Sequence, residues 1–340
     1  MYKAARALLF RLDPETAHDL TLSSLALAHR LHMQRVLAAP MIEDPVTLMG
    51  LRFANRVGLS AGLDKNAEHL DALGALGFGF VEVGTVTPRA QSGNPKPRLF
   101  RLPEQGAIIN RMGFNNQGVD QLIANVARSR YDGVIGINIG KNLTTPVEQA
   151  VDDYMTCLRA VHGHAHYVTV NISSPNTPGL RSLQFGEQLN ALLSALQQEN
   201  RMLNQRHGRQ VPLAVKIAPD MSEPETDLVA ECLRACHIEA VIGTNTTVSR
   251  EGIAGSVHAD EAGGLSGRPV REASTTIVRR LREKLADITI IGVGGIDSGE
   301  AALEKRRAGA DLVQLYSGLI YEGPALVGQC ARALREAHTL

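Results

Sequence analysis

Residues 171–180 read NISSPNTPGL and follow YVTV, a run with the character of a buried β-strand. Polar groups withdrawn from water must find hydrogen-bond partners or cost free energy. Asn171, Ser173, Ser174 and Asn176 therefore raise the question of what they bind. The same question attaches to Asn138 and Asn245, each at the end of another apolar run, and to Asn110 with Asn115 or Asn116 in a polar stretch between runs. Each asparagine offers both a donor and an acceptor, so a ring of them fits a planar molecule edged with carbonyl and N–H groups. Lys65 lies at the end of an apolar run and Lys216 inside one, where a cation is costly unless it meets an anion. Three glycine clusters, 263–267, 292–295 and 316–318, supply bare backbone of the kind that cradles phosphate. A Schiff-base lyase with Lys216 as nucleophile is the competing chemistry.

These residues need a frame that brings them together. Eight short apolar runs recur, at 57–61, 80–85, 134–139, 167–172, 213–217, 240–243, 289–293 and 312–315. Many lack polar alternation, as parallel strands covered on both faces do. Helical patterns such as 184–203, 223–235 and 270–285 lie between them. This is the signature of a (β/α)₈ TIM barrel, with a doubly wound sheet as competitor. Active sites of such barrels lie at the C-terminal ends of the strands, where the asparagines fall, and the loops after strands seven and eight form the usual phosphate site. Two inserts interrupt the repeat: a β-hairpin at 46–53 before strand one, and an Asn- and Gly-rich excursion at 98–118.

The first forty residues differ. Asp13-Pro14-Glu15 is a helix start, with a capping carboxylate and proline in the first turn. In the following helix, taken as 14–38, Leu20, Leu22, Leu25, Leu27 and Leu31 do not share one narrow stripe, so it needs apolar cover on more than one side. Ahead of it, Tyr2, Ala5, Leu8, Leu9 and Leu12 share a face, with Lys3, Arg6 and Arg11 mostly outside it. That suits a helix lying on a membrane surface, or equally a helical hairpin packed on its own domain. The division expected is an N-terminal helical domain, 1–40, and a barrel domain, 41–340.

The formal net charge is zero, which argues against broad nucleic-acid binding. Four cysteines without a CxxC pair suggest reduced thiols. No apolar run is long enough for a membrane-spanning helix. His162, His164 and His166 alternate before strand four, away from the expected site, and no metal site is expected.

AGLDKN at 61–66, NRMGFNN at 110–116, NISSPNTPGLR at 171–181, VKIAPD at 215–220, GTNTT at 243–247, GGLSG at 263–267, GVGGI at 292–296 and YSG at 316–318 resemble the dihydroorotate dehydrogenases, in that family's order. Serine at position 174 and the helical N-terminus resemble the class 2, quinone-reducing branch. The resemblance implies oxidation of (S)-dihydroorotate to orotate in pyrimidine (UMP) synthesis, with FMN, one per chain, as first acceptor and a membrane quinone, ubiquinone or menaquinone, as second. It implies FMN binding by Ala61, Gly62, Leu63, Asp64, Lys65, Thr85, Asn138, Asn171, Lys216, Thr244, Gly267, Gly295, Tyr316 and Ser317. Substrate would be held by Lys65, Asn110, Arg111, Met112, Gly113, Phe114, Asn171, Asn176, Asn245 and Thr246. Ser174 would be the catalytic base, and His18, Arg101 and Tyr316 would line a quinone tunnel. The setting implied is a monomer on the lipid surface, peripheral to the cytoplasmic face of a bacterial inner membrane. A hydroxyl is a poor base and needs a proton relay, for which Thr177 and an ordered water are the expected route. Ser173 is read as a turn residue only.

Overall fold

Strands β1 (Val46–Leu48) and β2 (Leu51–Phe53) pair antiparallel, forming the expected hairpin. The computed structural model describes residues 2–31, 33 and 40–337. After the hairpin come β3 (Val57–Leu59), β4 (Phe80–Val86), β5 (Leu99–Leu102), β6 (Ala107–Asn110), β7 (Val134–Ile139) and β8 (Tyr167–Asn171). Next are β9 (Leu213–Ile217), β10 (Ala240–Gly243), β11 (Gly264–Gly267), β12 (Thr289–Val293) and β13 (Leu312–Leu315). Eight of these close into a parallel barrel in the order β3-β4-β7-β8-β9-β10-β12-β13. They are the eight apolar runs of the sequence, with β3 ending two residues early, β8 one early and β4 one late. Every residue of β4, β7, β8, β9 and β12 is buried, which explains why these strands show no polar alternation.

The hairpin plugs the N-terminal end of the barrel. Phe53 meets the ring of Phe80 edge-on at 5.3 Å, and Phe80 meets Tyr167 at 6.4 Å. Phe80 and Tyr167 are the first residues of their strands, which fixes the end that is closed. Gly58 makes room for this plug: a Cβ there would fall 2.2 Å from the Phe80 ring. The 98–118 excursion is more ordered than its sequence suggests. Strands β5 and β6 form a hairpin, and β11 adds to β6 antiparallel, Gly264 opposite Asn110. The segment GGLSG, read as a glycine cluster, is thus a strand from Gly264 onward. It needs glycine at 264, where a Cβ would fall 1.9 Å from Thr246 Oγ1.

At the N-terminus lie α1 (Tyr2–Leu9) and α2 (Pro14–Arg30). Asp13 caps α2 as its sequence predicts, accepting from the N–H groups of Glu15 and Thr16 at 3.1 and 3.0 Å. Helix α2 is two-sided. Leu22 is buried and Leu25 packs on the core, while Leu20, Leu27 and Leu31 face out. Residues 32 and 34–39, the end of the expected 14–38 helix, lie outside the described residues. The Glu15 carboxylate takes both Arg98 Nε and Nη2 at 3.0 Å, tying α2 to the barrel. Arg6 differs from its reading as an outward residue: its guanidinium donates to the carbonyl of Tyr321, so it faces the barrel.

The barrel helices are α3 (Leu70–Gly74), α4 (Val119–Arg128), α5 (Ala150–Val161), α6 (Gly186–His207), α7 (Glu223–Ala235), α8 (Arg271–Lys284) and α9 (Gly299–Arg307), followed by α10 (Ser317–Glu322) and α11 (Ala325–Glu336). Each buries an apolar stripe on the strands, as Leu122 and Val126 of α4 do. The work of this outer layer is to leave the strand ends free at one mouth.

Candidate functional site

At that mouth a cavity of about 1020 Å³, including its open entrance, is lined from every side by strand ends and by the insert. Its walls divide by element. Asn171, Ser174 and Asn176 come from β8 and the loop after it, and Asn245 and Thr246 follow β10. Asn110, Met112, Gly113 and Phe114 come from β6 and the residues beyond it. Gly267, Gly294, Gly295, Ser317 and Gly318 form the glycine-rich side. Ala61, Gly62, Lys65, Thr85, Lys216, Thr244 and Tyr316 complete the set of expected residues.

The amides are chained together. Asn171 Nδ2 donates to Thr85 Oγ1 at 2.9 Å, and that hydroxyl donates to Asn138 Oδ1 at 2.6 Å. Asn245 Nδ2 donates to Asn171 Oδ1 at 3.3 Å and to Ser173 Oγ at 3.0 Å. Asn176 Nδ2 donates to the Asn110 carbonyl at 3.1 Å, joining the serine loop to the insert. Ser174 is buried against the cavity, and its Oγ accepts from the Asn176 N–H at 3.2 Å. Arg181 holds the same loop down. It donates to the Ser173 and Thr246 carbonyls at 3.1 and 2.9 Å and to Asp220 at 2.7 Å.

Four expected residues do not line this cavity. Asn138 is fully buried beneath its floor. The Asp64 carboxylate is spent on the N–H groups of Glu68 and His69, at 2.9 and 2.8 Å, and shapes the turn behind Lys65. Leu63 faces the second cavity described below. Arg111 turns away, paired with Glu261 at 2.6 Å and stacked 4.6 Å over Phe100. In return the structure adds Ser60, Ser266 and Gln314. Ser60 and Gln314 occupy a strand end and a strand interior, positions that a buried polar residue in an apolar run could have flagged.

Both lysines are held against their ordinary behaviour. Burial pushes Lys65 down to about 8, with Arg98 adding to the effect and Glu15 opposing it. Burial also lowers Lys216, and Glu82 works against that. The Lys216 ammonium has Ser60 Oγ, at 3.2 Å, as its hydrogen-bond partner. Thr246 Oγ1 and Gln314 Oε1 are buried with no partner among the described residues. Each such group costs about 1–3 kcal/mol unless something satisfies it. The donor set therefore fits a bound polar, planar and anionic molecule, and the glycines fit a phosphate.

A second cavity, about 990 Å³ and mostly apolar, lies between α1, α2 and the barrel. It gathers His18, Arg101 and Tyr316, the three expected tunnel residues, with Leu9, Leu22 and Leu63. Arg101 is bound to the carbonyls of Leu9 and Phe10, at 3.2 and 3.3 Å, and of Leu12. Burial, with Lys65 and His69 nearby, lowers His18 to about 4, so it is a neutral imidazole at pH 7. Tyr316 lines both cavities and donates to the Gly62 carbonyl at 3.4 Å. The alternating histidines are engaged elsewhere: His162 faces His207 and Asn204, each at 2.9 Å.

A closed parallel barrel with an amide-lined mouth, two desolvated lysines and glycines after its last strands has the architecture of a barrel enzyme, with a mouth that fits a planar anionic ligand. The chain belongs to the dihydroorotate dehydrogenase family, whose model matches residues 45–337. It is 59% identical to a dihydroorotate dehydrogenase (quinone) of Cellvibrio japonicus over 99% of both chains. It is 60% identical to one of Chromobacterium violaceum over 98% of this chain and 97% of that one. Among solved structures, dihydroorotate dehydrogenase of Eimeria tenella in complex with ferulenol superposes with a TM-score of 0.87 at 37% identity, covering 96% of this chain and 93% of that one. The resemblance read in the motifs is thus met, and the chain is an oxidoreductase.

Proposed function

We propose that the chain oxidises (S)-dihydroorotate to orotate in pyrimidine synthesis and passes the electrons to a membrane quinone. The observation that carries this reading is the single cavity in which Ser174, the amide ring and the glycine-rich wall meet, adjoining an apolar cavity at Tyr316. FMN, one per chain, supplies the two-electron acceptor when bound. Its phosphate is assigned to Gly267, Gly295 and Ser317, and its ring to the region of Ala61, Gly62, Lys65, Thr85, Asn171, Thr244 and Lys216. The substrate is assigned to Lys65, Asn110, Met112–Phe114, Asn171, Asn176, Asn245 and Thr246.

Each side chain then has a task. Asn171, Asn176 and Asn245 match the carbonyl and N–H edges of the substrate ring, and Lys65 pairs with its carboxylate. Ser174 Oγ takes the proton from substrate carbon. The Asn176 N–H on that oxygen stabilises the negative charge it gathers. Thr177, buried on the same loop, passes the proton on through a water. Lys216 offers a positive charge where negative charge builds up. Buried walls keep water from the reacting atoms.

Residues 1–40 act as the quinone-access and lipid-facing domain and 41–340 as the catalytic domain. Among the described residues no helix is long and apolar enough to cross a membrane. The exposed Leu8, Leu20, Leu27 and Leu31 support peripheral attachment, assigned to the cytoplasmic face of an inner membrane, with the chain a monomer. A visible spectrum tests the reading. Purified protein is expected to be yellow and to bleach anaerobically with dihydroorotate, and a short-chain quinone should restore the colour. Colourless protein, or flavin that dihydroorotate leaves oxidised, overturns it.

A further inference from the structure

Beneath the cavity floor lies a carboxylate that the assigned chemistry does not use. Glu82, in the interior of β4, is fully buried. Four donors from three other strands converge on it: Asn138 Nδ2 at 2.9 Å, Tyr167 OH at 2.8 Å, Thr169 Oγ1 at 3.2 Å and Gln314 Nε2 at 2.8 Å. These hydrogen bonds, three on Oε2 and one on Oε1, hold the carboxylate in place. A buried negative charge needs a compensating positive one. Lys216, one strand beyond β8, reaches the level of Glu82 from across the barrel: its ammonium donates to the neutral Ser60 hydroxyl at 3.2 Å, and Ser60 follows Leu59, the strand partner of Val81 next to Glu82. Glu82 also opposes the lowering of Lys216 by burial.

We infer that Glu82 is a positioning residue for this site: its fixed carboxylate keeps the Lys216 side chain as an ammonium at the cavity floor. The inference rests on the reading of Lys216 given above. Lys216 lines the cavity and is excluded from water, so burial alone favours its neutral, useless form. A partner on the cavity side would compete with the ligand. A partner below the floor supplies the charge without occupying the site. Gln314 joins the two levels, since it donates to Glu82 and also lines the cavity. The other groups around this pair are neutral side chains: Ser60, Asn138 and Thr169, with the Tyr167 phenol held protonated by burial and by Glu82. Lys65 is the other cation on the cavity wall.

Lysine-selective NMR reads the charge directly. The chain has seven lysines, so ¹³Cε-labelled lysine gives a spectrum in which K216M identifies the Lys216 signal. In the purified holoprotein, Lys216 should be charged at pH 7.5. In E82Q its titration midpoint should fall by about one pH unit or more, and E82D should restore it. An unchanged midpoint in a folded E82Q overturns the inference, and so does a neutral Lys216 in the unsubstituted chain, a result that needs no variant to fold. A second readout is the flavin midpoint potential at pH 8.5. Loss of charge on Lys216 lowers it in E82Q, and the effect disappears in E82Q/K216M. A direct field of Glu82 would instead raise it in both backgrounds, which also overturns the inference. Failure of the functional reading shows separately, as flavin that dihydroorotate does not reduce.

Discussion

Ser173 Oγ accepts a hydrogen bond from Asn245 Nδ2 at 3.0 Å, across the mouth from β8 to β10. The same hydroxyl donates to Asn171 Oδ1 at 3.3 Å, so Ser173 locks two of the substrate-facing amides to each other. Its side chain is fully buried and does not line the cavity. In S173A, Asn245 Nδ2 keeps only its longer bond to Asn171. The expected loss is about 1 kcal/mol of positioning, read as a KM for dihydroorotate several-fold higher with kcat changed less. A KM equal to that of the unsubstituted enzyme removes Ser173 from the site.

Ser173 also marks where sequence stops being informative. Its type and place fit a turn, and nothing in the order of residues tells that Asn245, 72 positions later, ends beside it. Barrel strands were legible because burial on both faces writes a continuous apolar run, and Asn110, Asn171, Asn176 and Asn245 because strand ends share one mouth. Glu82 was hidden for the opposite reason. One carboxylate in VEVGT looks like ordinary alternation until donors from three other strands are seen around it. Arg111 shows the reverse failure, since its motif neighbours face the cavity while it pairs outward with Glu261.

Ser174 and Thr177 give a graded prediction. Loss of the base in S174A should slow reduction of the flavin by dihydroorotate about 10²- to 10⁴-fold, with orotate still bound. Thr177 is buried on the same loop, and its hydroxyl is the assigned next stop for the proton. T177V should therefore slow the same step by a smaller factor and alter its solvent isotope effect. Anaerobic stopped-flow absorbance measures both, and an unchanged rate in T177V eliminates the relay.

Lys65 sets a pH dependence. Its folded value is lowered from 10.5 to about 8, first by burial and then by Arg98. Below pH 8 it is an ammonium and pairs with the ligand carboxylate. Above pH 8 the ligand-free protein carries it neutral, so orotate affinity should fall by up to about tenfold per pH unit. The sign for stability is opposite. Between about 8 and 10.5 the unfolded chain binds more protons than the folded one, so this group makes the ligand-free fold more stable as pH rises. Flavin difference spectra against orotate at pH 6.5–9.5 check the first statement. K65A should bind weakly with a flat profile, and a flat profile in the unsubstituted enzyme rules Lys65 out as the carboxylate partner.

The N-terminal helices separate the two half-reactions. Glu15 holds α2 to the barrel through Arg98, whose remaining donors go to the Ser92 and Asn94 carbonyls at 2.6 and 2.9 Å. Both side chains are largely buried, 13% and 8% exposed, so E15A strands a guanidinium at a cost of about 3 kcal/mol. Helix α2 carries His18, Leu22 and Leu25 on the wall of the apolar cavity, whereas the amide ring stands on strand ends and the insert. Loosening α2 should thus raise the KM for a long-tail quinone about tenfold or more and leave flavin reduction by dihydroorotate nearly unchanged. Deleting residues 1–38 should carry the same split further, abolishing long-tail quinone reduction while a water-soluble dye still takes electrons. Equal loss of both half-reactions would make the helices a structural cover for Leu63 and Tyr316, and the apolar cavity no route to the flavin.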